Sequence, residues 1–311
     1  MPIALIAEQV ALQDALRAWA AAAEAHTAVR ELEPPATTAV GHRHWAQLAD
    51  LGVFAITLPE TLGGAGGGPT DLAAALEALT DALVPGPIMP TMLAGLLLAP
   101  HGTVPAVGVL LAELAAGRAS VAVAAGTGTI AATPMPGGAL RVRGRVGPVL
   151  GAGTTTHLLL AAPTSSGQRW FLLASDQPGV RLTARTPVDF SRSLADVELS
   201  DVLVPAERLL TADRQPRPGD LAAWLAAVEA AAVAAWCVRT ATEYAKVRRQ
   251  FGQPVGSFQA VKHLCAGMLC RAERAAAVAW DAAWALEHRP DEFPLASAVA
   301  AAVALEAGVD N

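Results

Sequence analysis

The spacing of apolar residues changes twice along the chain, and this change limits the folds that the chain can adopt. Helical spacing marks both ends, as at Leu221, Trp224, Leu225 and Val228, which fall at i, i+3, i+4 and i+7. The middle, from 119 to about 208, carries short apolar or alternating runs between turn residues, as in Leu140–Arg143. The pattern predicts an α+β protein with an N-terminal helical domain at 1–117, a β domain at 118–210 and a C-terminal helical bundle at 217–311.

Composition excludes some classes of protein. The 311 residues are 53% hydrophobic and 16% charged, so the chain can bury a large core and is not a disordered segment. A net charge of −6, with arginines scattered singly, argues against a nucleic-acid partner. Abundant alanine favours helices that pack closely.

Cysteine usage and the apolar segments of the chain indicate its cellular compartment. Cys237, Cys265 and Cys270 are odd in number and lack C-x-x-C spacing, which suits a reducing, cytoplasmic compartment. The start of the chain does not resemble a signal peptide. Ala82–Ala112 holds no Asp, Glu, Lys or Arg, but five prolines interrupt it, so we expect short buried helices and no membrane span.

Two glycine-rich segments imitate nucleotide-binding motifs. Gly126–Ala131 matches G-x-G-x-x-A, but Pro134 and Pro136 forbid the helix that a dinucleotide site requires, so we reject that interpretation. Leu62–Pro69 lacks the Lys-Ser or Lys-Thr of a P-loop. We interpret it as a turn into a helix that begins near Thr70 or Asp71.

A cluster of polar residues, Arg248-Arg249-Gln250, closes the helix that carries Tyr244 and Lys246. Basic residues in a last turn commonly just complement the helix dipole. Alternatively, two guanidinium groups and an amide at a corner between helices would suit a phosphate or an adenosine. The residues alone leave both interpretations open.

No motif identifies an acid–base or metal site. The seven histidines show no metal-ligand spacing, so we expect no bound metal. Ser191 lies outside any G-x-S-x-G elbow. Glu229 stands alone in an alanine-rich apolar helix and is the one candidate base, although such a residue more often faces a polar partner.

Three passages together resemble the acyl-CoA dehydrogenase family. The first comprises His44–Gly52, Leu58-Pro-Glu60, Gly63, Gly64, Gly66 and Glu77. The second comprises Asp189–Arg192 and Ala195–Pro205. The third and most specific comprises Tyr244–Gly252 with Pro254, Gly256 and Ser257-Phe-Gln259.

The resemblance implies a fold, a cofactor and a reaction. The fold would be a helical domain, a central β-barrel and a C-terminal four-helix bundle, here shortened. The cofactor would be FAD, contacted across a dimer by Arg248, Arg249, Gln250, Phe258 and Gln259. The reaction would convert an acyl-CoA of fatty acid or steroid side-chain β-oxidation to a 2-enoyl-CoA, with a glutamate as base. Electron-transfer flavoprotein would be the electron acceptor.

The sequence departs from the family's catalytic pattern. Gly126–Pro136 stands where the family has Thr-Glu-Pro…Gly-Ser-Asp, and Val149–Ala152 replaces Trp-Ile-Thr. The usual catalytic glutamate would fall beyond Asn311, and Ala222 occupies the base position that some relatives use on the first bundle helix.

These departures favour a subunit of a heterotetramer whose second chain type supplies the glutamate. A homomeric dehydrogenase using Glu229, and a flavin-free binding protein on the same scaffold, are the alternatives.

Overall fold

The computed structural model describes residues 5–32, 44–124, 128–165, 167–211 and 216–311. Its helices are α1 Ala7–Ala22, α2 Ala25–Arg30, α3 Trp45–Asp50, α4 Pro69–Asp81, α5 Ile88–Leu98, α6 Pro105–Ala115, α7 Pro218–Val247, α8 Gln259–His288 and α9 Phe293–Asp310. Its strands are β1 Val121–Val123, β2 Gly128–Pro134, β3 Leu140–Leu150, β4 His157–Thr164, β5 Gly167–Ala174, β6 Val180–Arg185, β7 Leu194–Val204, β8 Leu209–Thr211, β9 Arg249–Gln250 and β10 Gln253–Pro254.

The helix–sheet–helix order predicted from the sequence is confirmed. The chain forms two compact units. Unit 1 contains the described residues of Met1–Trp19, Pro69–Ala82 and Asp220–Asn311, and unit 2 contains those of Ala20–Gly68 and Leu83–Gly219. The division of the sequence into segments ending at 117 and 210 stays a prediction.

Unit 2 is built on two four-stranded sheets with a common core. Sheet A has the order β1-β4-β5-β8 and sheet B the order β2-β3-β7-β6. Leu160 of β4, Phe171 of β5, Val142 of β3 and Val197 of β7 are fully buried in one apolar cluster. The sheets therefore pack face to face, as in sandwiches whose inner faces interdigitate.

The two sheets differ in how their outer faces are covered, which explains their different sequence patterns. On β4 both Leu158 and Leu159 are buried, since α5 packs against neighbouring β1, where the Val121 amide donates to Thr91 Oγ1 at 3.3 Å. On β3 buried and exposed residues alternate, as period-two spacing predicts for a sheet with one open face.

The expected β-barrel is wrong. Within the described residues, β1 and β8 are the edges of sheet A, and β2 and β6 are the edges of sheet B. Both sheets are thus open, because no edge strand pairs with a strand of the other sheet. Two faces that bury each other remove apolar surface from water as effectively as closure does.

The two glycine-rich segments behave as the sequence indicates. Residues 128–134 are strand β2, so the described part of Gly126–Ala131 begins no helix, whereas residues 125–127 lie outside the described residues. Leu62–Pro69 leads into α4, which begins at Pro69. Proline suits the first helical position because it lacks an amide hydrogen that would go unpaired there.

Apolar Ala82–Ala112 contains the short helices α5 and α6, as expected. By length and composition alone α7 and α9 could cross a membrane, although core helices meet the same criteria. Glu33-Pro34-Pro35 predicts a break in the N-terminal helices, and these residues lie outside the described part of the chain.

The turn before α4 requires glycine at one position for space and at another for conformation. A Cβ on Gly64 would lie 1.9 Å from the carbonyl oxygen of Leu58, a residue with no exposed surface. Gly63 has φ +79° but open space around the site of a Cβ. The turn is also tied back by the Gly66 amide, which donates to Leu58 O at 3.0 Å.

This difference gives a stability test. We expect Gly64→Ala to lower the free energy of unfolding by about 3 kcal/mol or more, since the backbone at Leu58 must move. Gly63→Ala should cost only about 1–2 kcal/mol, the cost of a left-handed residue with a side chain. Urea unfolding of both variants measures this, and equal losses would contradict the described turn.

Unit 1 is held by close packing of alanine-rich helices around one aromatic contact. Trp224 of α7 is fully buried, donates from Nε1 to Ala279 O of α8 at 3.2 Å, and meets the Phe293 ring of α9 edge-on at 6.2 Å. Buried alanines on α8 and α9 let the axes approach. Helix α9 begins at Phe293, and Pro294 lies in its first turn, where proline is well tolerated.

A half-buried carboxylate joins three helices of unit 1. Glu77 of α4 accepts at Oε2 from Gln13 Nε2 of α1 and from Trp280 Nε1 of α8, both at 3.3 Å. Burial raises the pKa of Glu77 above its usual value, although these hydrogen bonds and Arg17 oppose the rise. Asp81, one turn on, binds Arg17 and Arg239.

The raised pKa makes the stability of the protein depend on pH through Glu77. A carboxyl whose folded pKa exceeds its unfolded pKa favours folding below the unfolded pKa, and this advantage disappears as pH rises through the folded pKa. Glu77→Gln keeps an acceptor for Gln13 and Trp280 without the buried charge.

We therefore expect Glu77→Gln to be at least as stable as the parent at about pH 7.5, with a smaller advantage at about pH 5. Urea unfolding at the two pH values measures the difference. A variant that is clearly less stable at the higher pH would mean that attraction to Arg17 exceeds the cost of burial.

Candidate functional site

A tight hairpin at the corner between α7 and α8 carries the polar cluster that the sequence singles out. Strand β9 pairs antiparallel with β10, with Gln250 opposite Gln253. Phe251 and Gly252 form the two-residue loop and have φ values of +51° and +82°. Two positive φ values are typical of a type I′ turn, which matches the twist of the strands that it joins.

Backbone contacts fix this corner to the helices on either side. The Arg248 amide donates to Tyr244 O at 2.9 Å, and the Val255 amide donates to Arg248 O at 2.8 Å. Gly256 approaches α7 so closely that a Cβ would lie 2.9 Å from Ala245 O. These contacts fix the backbone of the corner relative to α7 and α8. We call this corner the platform.

The platform displays positive charge to solvent. Arg248 and Arg249 are exposed, and neither forms an ion pair with a described residue. Arg249 Nη2 donates to Gly252 O at 2.9 Å, which spreads its guanidinium across the hairpin. Exposed arginines without an acidic partner keep their donors available for a phosphate.

An aromatic pair and a helix N-terminus complete the corner. The Phe251 ring is 91% exposed and meets the Phe258 ring edge-on at 6.2 Å. Phe258 is the N-cap of α8, and Gln259 is its exposed first residue. The first amides of a 30-residue helix lack intrahelical partners and attract anions.

Of the five predicted cofactor residues, Arg248, Arg249, Gln250 and Gln259 are exposed and Phe258 is half-buried, and all five belong to the same short segment of chain. The arginines and the α8 N-terminus suit a diphosphate, and amides with an aromatic ring suit an adenosine. The donor set fits the ADP portion of FAD. Sequence reasoning missed the exposed Phe251, for which the Phe-Gly pair between two short strands was the available signal.

The candidate catalytic positions lie on α7. Ala222 and Glu229 are both half-buried there. Glu229 takes part in an interaction of its own, as the alternative to a catalytic role predicts for such a glutamate. Ala222 offers only a methyl group, which neither accepts nor donates a proton.

Within the described residues, the other candidates that the sequence singles out do not come together in a reactive site. Within the described residues, no group of three His, Cys, Asp or Glu side chains could hold a metal ion. Cys237, Cys265 and Cys270 are free thiols. Asp189 accepts from the Ser191 amide and hydroxyl at 2.9 and 2.6 Å, so this serine stabilises a turn.

Comparison with known proteins identifies the family. Residues 6–118 match the acyl-CoA dehydrogenase N-terminal domain, and residues 220–310 match the acyl-CoA dehydrogenase C-terminal domain. The chain belongs to the acyl-CoA dehydrogenase family. Members of this family are oxidoreductases and flavoproteins that use FAD.

Two curated relatives come from Mycobacterium tuberculosis. Acyl-CoA dehydrogenase FadE34 is 38% identical over 312 residues, which cover 98% of this chain but 41% of FadE34. The chain thus spans well under half of that relative. Acyl-CoA dehydrogenase IpdE2 is 33% identical over 261 residues, covering 83% of this chain and 69% of IpdE2.

A solved structure matches the fold throughout. The ChsE4-ChsE5 complex from Mycobacterium tuberculosis aligns with a TM-score of 0.87 and 27% identity, covering 100% of this chain and 85% of the matched chain. The matched chain thus comes from a complex of two differently named proteins, ChsE4 and ChsE5.

The exposure of Phe251 is testable without any ligand. We expect Phe251→Ala to change the free energy of unfolding by less than about 1 kcal/mol, because the ring has little beyond one aromatic contact to lose. Phe293→Ala, which empties a buried site, should cost about 3–5 kcal/mol. Thermal and urea unfolding compare the two, and a loss above about 2 kcal/mol for Phe251→Ala would mean that the ring is packed.

Proposed function

We propose that this chain is a flavin-binding subunit of an acyl-CoA dehydrogenase that depends on a second chain type for its catalytic base. The observation that carries the proposal is the combination of an exposed basic corner at Arg248–Gln259, which we assign to the cofactor, with an alanine at position 222. Bound FAD would supply the hydride acceptor for α,β-dehydrogenation of an acyl-CoA thioester to a 2-enoyl-CoA.

The chain's own contribution would be to bind and orient the cofactor. Arg248 would neutralise the diphosphate, and the α8 N-terminus would add backbone donors beside Gln259. Arg249, already anchored on Gly252 O, would hold a donor in a fixed direction. Phe258, with Phe251 against it, would offer an apolar surface to the adenosine.

A second subunit is needed because the chain lacks a positioned base on α7. Removal of an α-proton requires a carboxylate within hydrogen-bond reach of the substrate, and Ala222 has none. The likeness to a chain of the ChsE4-ChsE5 complex supports an assembly of two chain types. We place this assembly in the cytoplasm, with electron-transfer flavoprotein as electron acceptor and a fatty or steroid side-chain acyl group as substrate.

The central experiment is to co-express the chain with any acyl-CoA dehydrogenase-like gene found beside its own gene, and to purify through a tag on this chain. A yellow complex of two chain types that bleaches with an acyl-CoA supports the proposal. A yellow homomer that bleaches alone would replace it with a self-sufficient dehydrogenase. A colourless protein under all conditions, even with added FAD, would favour a flavin-free binding protein.

Removing the corner's positive charge should weaken the cofactor complex. We expect Arg248→Ala with Arg249→Ala to raise the Kd for FAD at least about tenfold, because each lost charged hydrogen bond is worth about 1.5–3 kcal/mol. Arg274→Ala is the matched control, since Arg274 is an exposed arginine on α8 outside the corner. Flavin fluorescence on titration measures Kd, and equal affinities in both variants would argue against the assignment.

The origin of the base is tested by two substitutions in the co-expressed complex. We expect Glu229→Gln to retain turnover, because the partner supplies the carboxylate. Loss of turnover with FAD still bound and the fold intact would make Glu229 the base. Ala222→Glu, combined with removal of the partner's glutamate, should restore part of the lost rate if position 222 faces the substrate.

A further inference from the structure

Unit 2 contains a groove that shares no residue with the cofactor corner. It has a volume of about 410 Å³ and lies between α6, the start of β4, β5 and the short helical turn Ala206–Arg208. Buried Leu110 and Leu172 form apolar parts of its lining, with the more exposed Val109 beside them. Its volume is within the range typical of small-molecule sites.

Three polar side chains line the same groove: Glu113 of α6, His157 of β4 and Arg208. With the described residues, the Glu113 carboxylate and the Arg208 guanidinium form no hydrogen bond or ion pair. Both are half-buried, so solvent satisfies them only in part. A carboxylate, a guanidinium and an imidazole thus lie together beside an apolar lining. The lack of partners for the first two is unusual, since partly buried polar groups usually form hydrogen bonds.

The tautomer of His157 follows from its hydrogen bond. The hydroxyl of Thr156 donates its single proton to Ser120 O at 2.9 Å, because a carbonyl can only accept. His157 Nδ1 lies 2.9 Å from the same hydroxyl oxygen and must therefore carry the proton of that hydrogen bond. In the neutral ring Nε2 is left as an acceptor, and it has no partner among the described residues.

The surroundings of His157 favour its neutral form. Burial lowers the pKa of the imidazole, Arg208 lowers it further, and Glu113 and Asp176 oppose them. Arg208 and Glu113 thus both act on the ring electrostatically. The groove therefore presents a cation, an anion and a neutral acceptor.

We propose that this groove binds a small zwitterion with an apolar side chain, chemically a free apolar amino acid. Its carboxylate pairs with Arg208, its ammonium donates to Glu113 and to His157 Nε2, and its side chain lies on Leu110 and Leu172. Each charged group of the groove thereby gains a partner of opposite charge, and His157 Nε2 gains a hydrogen-bond donor. The ligand's side chain covers the apolar lining.

The test uses the full chain and leucine as the probe, with binding followed through the histidine ring protons by NMR. The His157 resonance is assigned by its absence in His157→Gln. We expect leucine to shift this resonance in a saturable way. Isocaproate, which lacks the ammonium, and isoamylamine, which lacks the carboxylate, should bind at least about tenfold more weakly, the loss expected for one charged contact.

Matched variants distinguish the effect of a charge inside the groove from the effect of changing the net charge of the protein. Arg208→Gln should raise the Kd for leucine at least about tenfold, whereas Arg141→Gln, an exposed arginine of β3, should leave it unchanged. Without ligand, Arg208→Gln should raise the pKa of His157 and Glu113→Gln should lower it, since each removes one of the causes named above.

The outcomes decide the proposal. No saturable shift of His157 with leucine overturns it, as does equal affinity of leucine and isocaproate. An unchanged pKa of His157 in both charge variants would mean that the three side chains do not face one groove in solution, and would also overturn it. Neither result depends on whether the chain binds FAD.

Discussion

The buried indole of Trp224 is the contact on which the C-terminal helices depend. Its ring fills the space between α7 and α9 against Phe293, and its Nε1–H is satisfied by Ala279 O of α8. A large aromatic residue and a neighbouring series of alanines are complementary, because small side chains let the helices approach while the indole occupies what remains. With the helices held in this way, the corner between α7 and α8 has a defined position.

That corner shows how a short chain segment can bring several polar side chains together. The helix cannot continue through Phe251 and Gly252, whose positive φ values create the hairpin. Once the backbone turns, two arginines and two glutamines are exposed beside a helix N-terminus and an aromatic pair. No single member of this set would hold a cofactor; their proximity on a fixed backbone makes the corner a candidate site.

In unit 2, the inner and outer faces of the sheets have different surroundings. The inner faces bury each other, and the helices cover the other face of sheet A near β1. The groove between α6 and β4 lies at the margin of this covering, where polar side chains follow the apolar ones. Polar groups placed there are dehydrated in part, which strengthens their interaction with a complementary ligand.

The sequence by itself determined the order of helical and strand segments, because side-chain periodicity follows directly from the geometry of helix and strand. It also determined the rejection of a dinucleotide fold, since Pro134 and Pro136 exclude a helix locally, and it located the Arg248–Gln259 segment. Only the tertiary structure decided that the sheets stay open, that Glu77 accepts hydrogen bonds from Gln13 and Trp280, and that Glu113, His157 and Arg208 line one groove. These features join residues far apart in the chain, and their contacts depend on how elements pack, which local pattern does not specify.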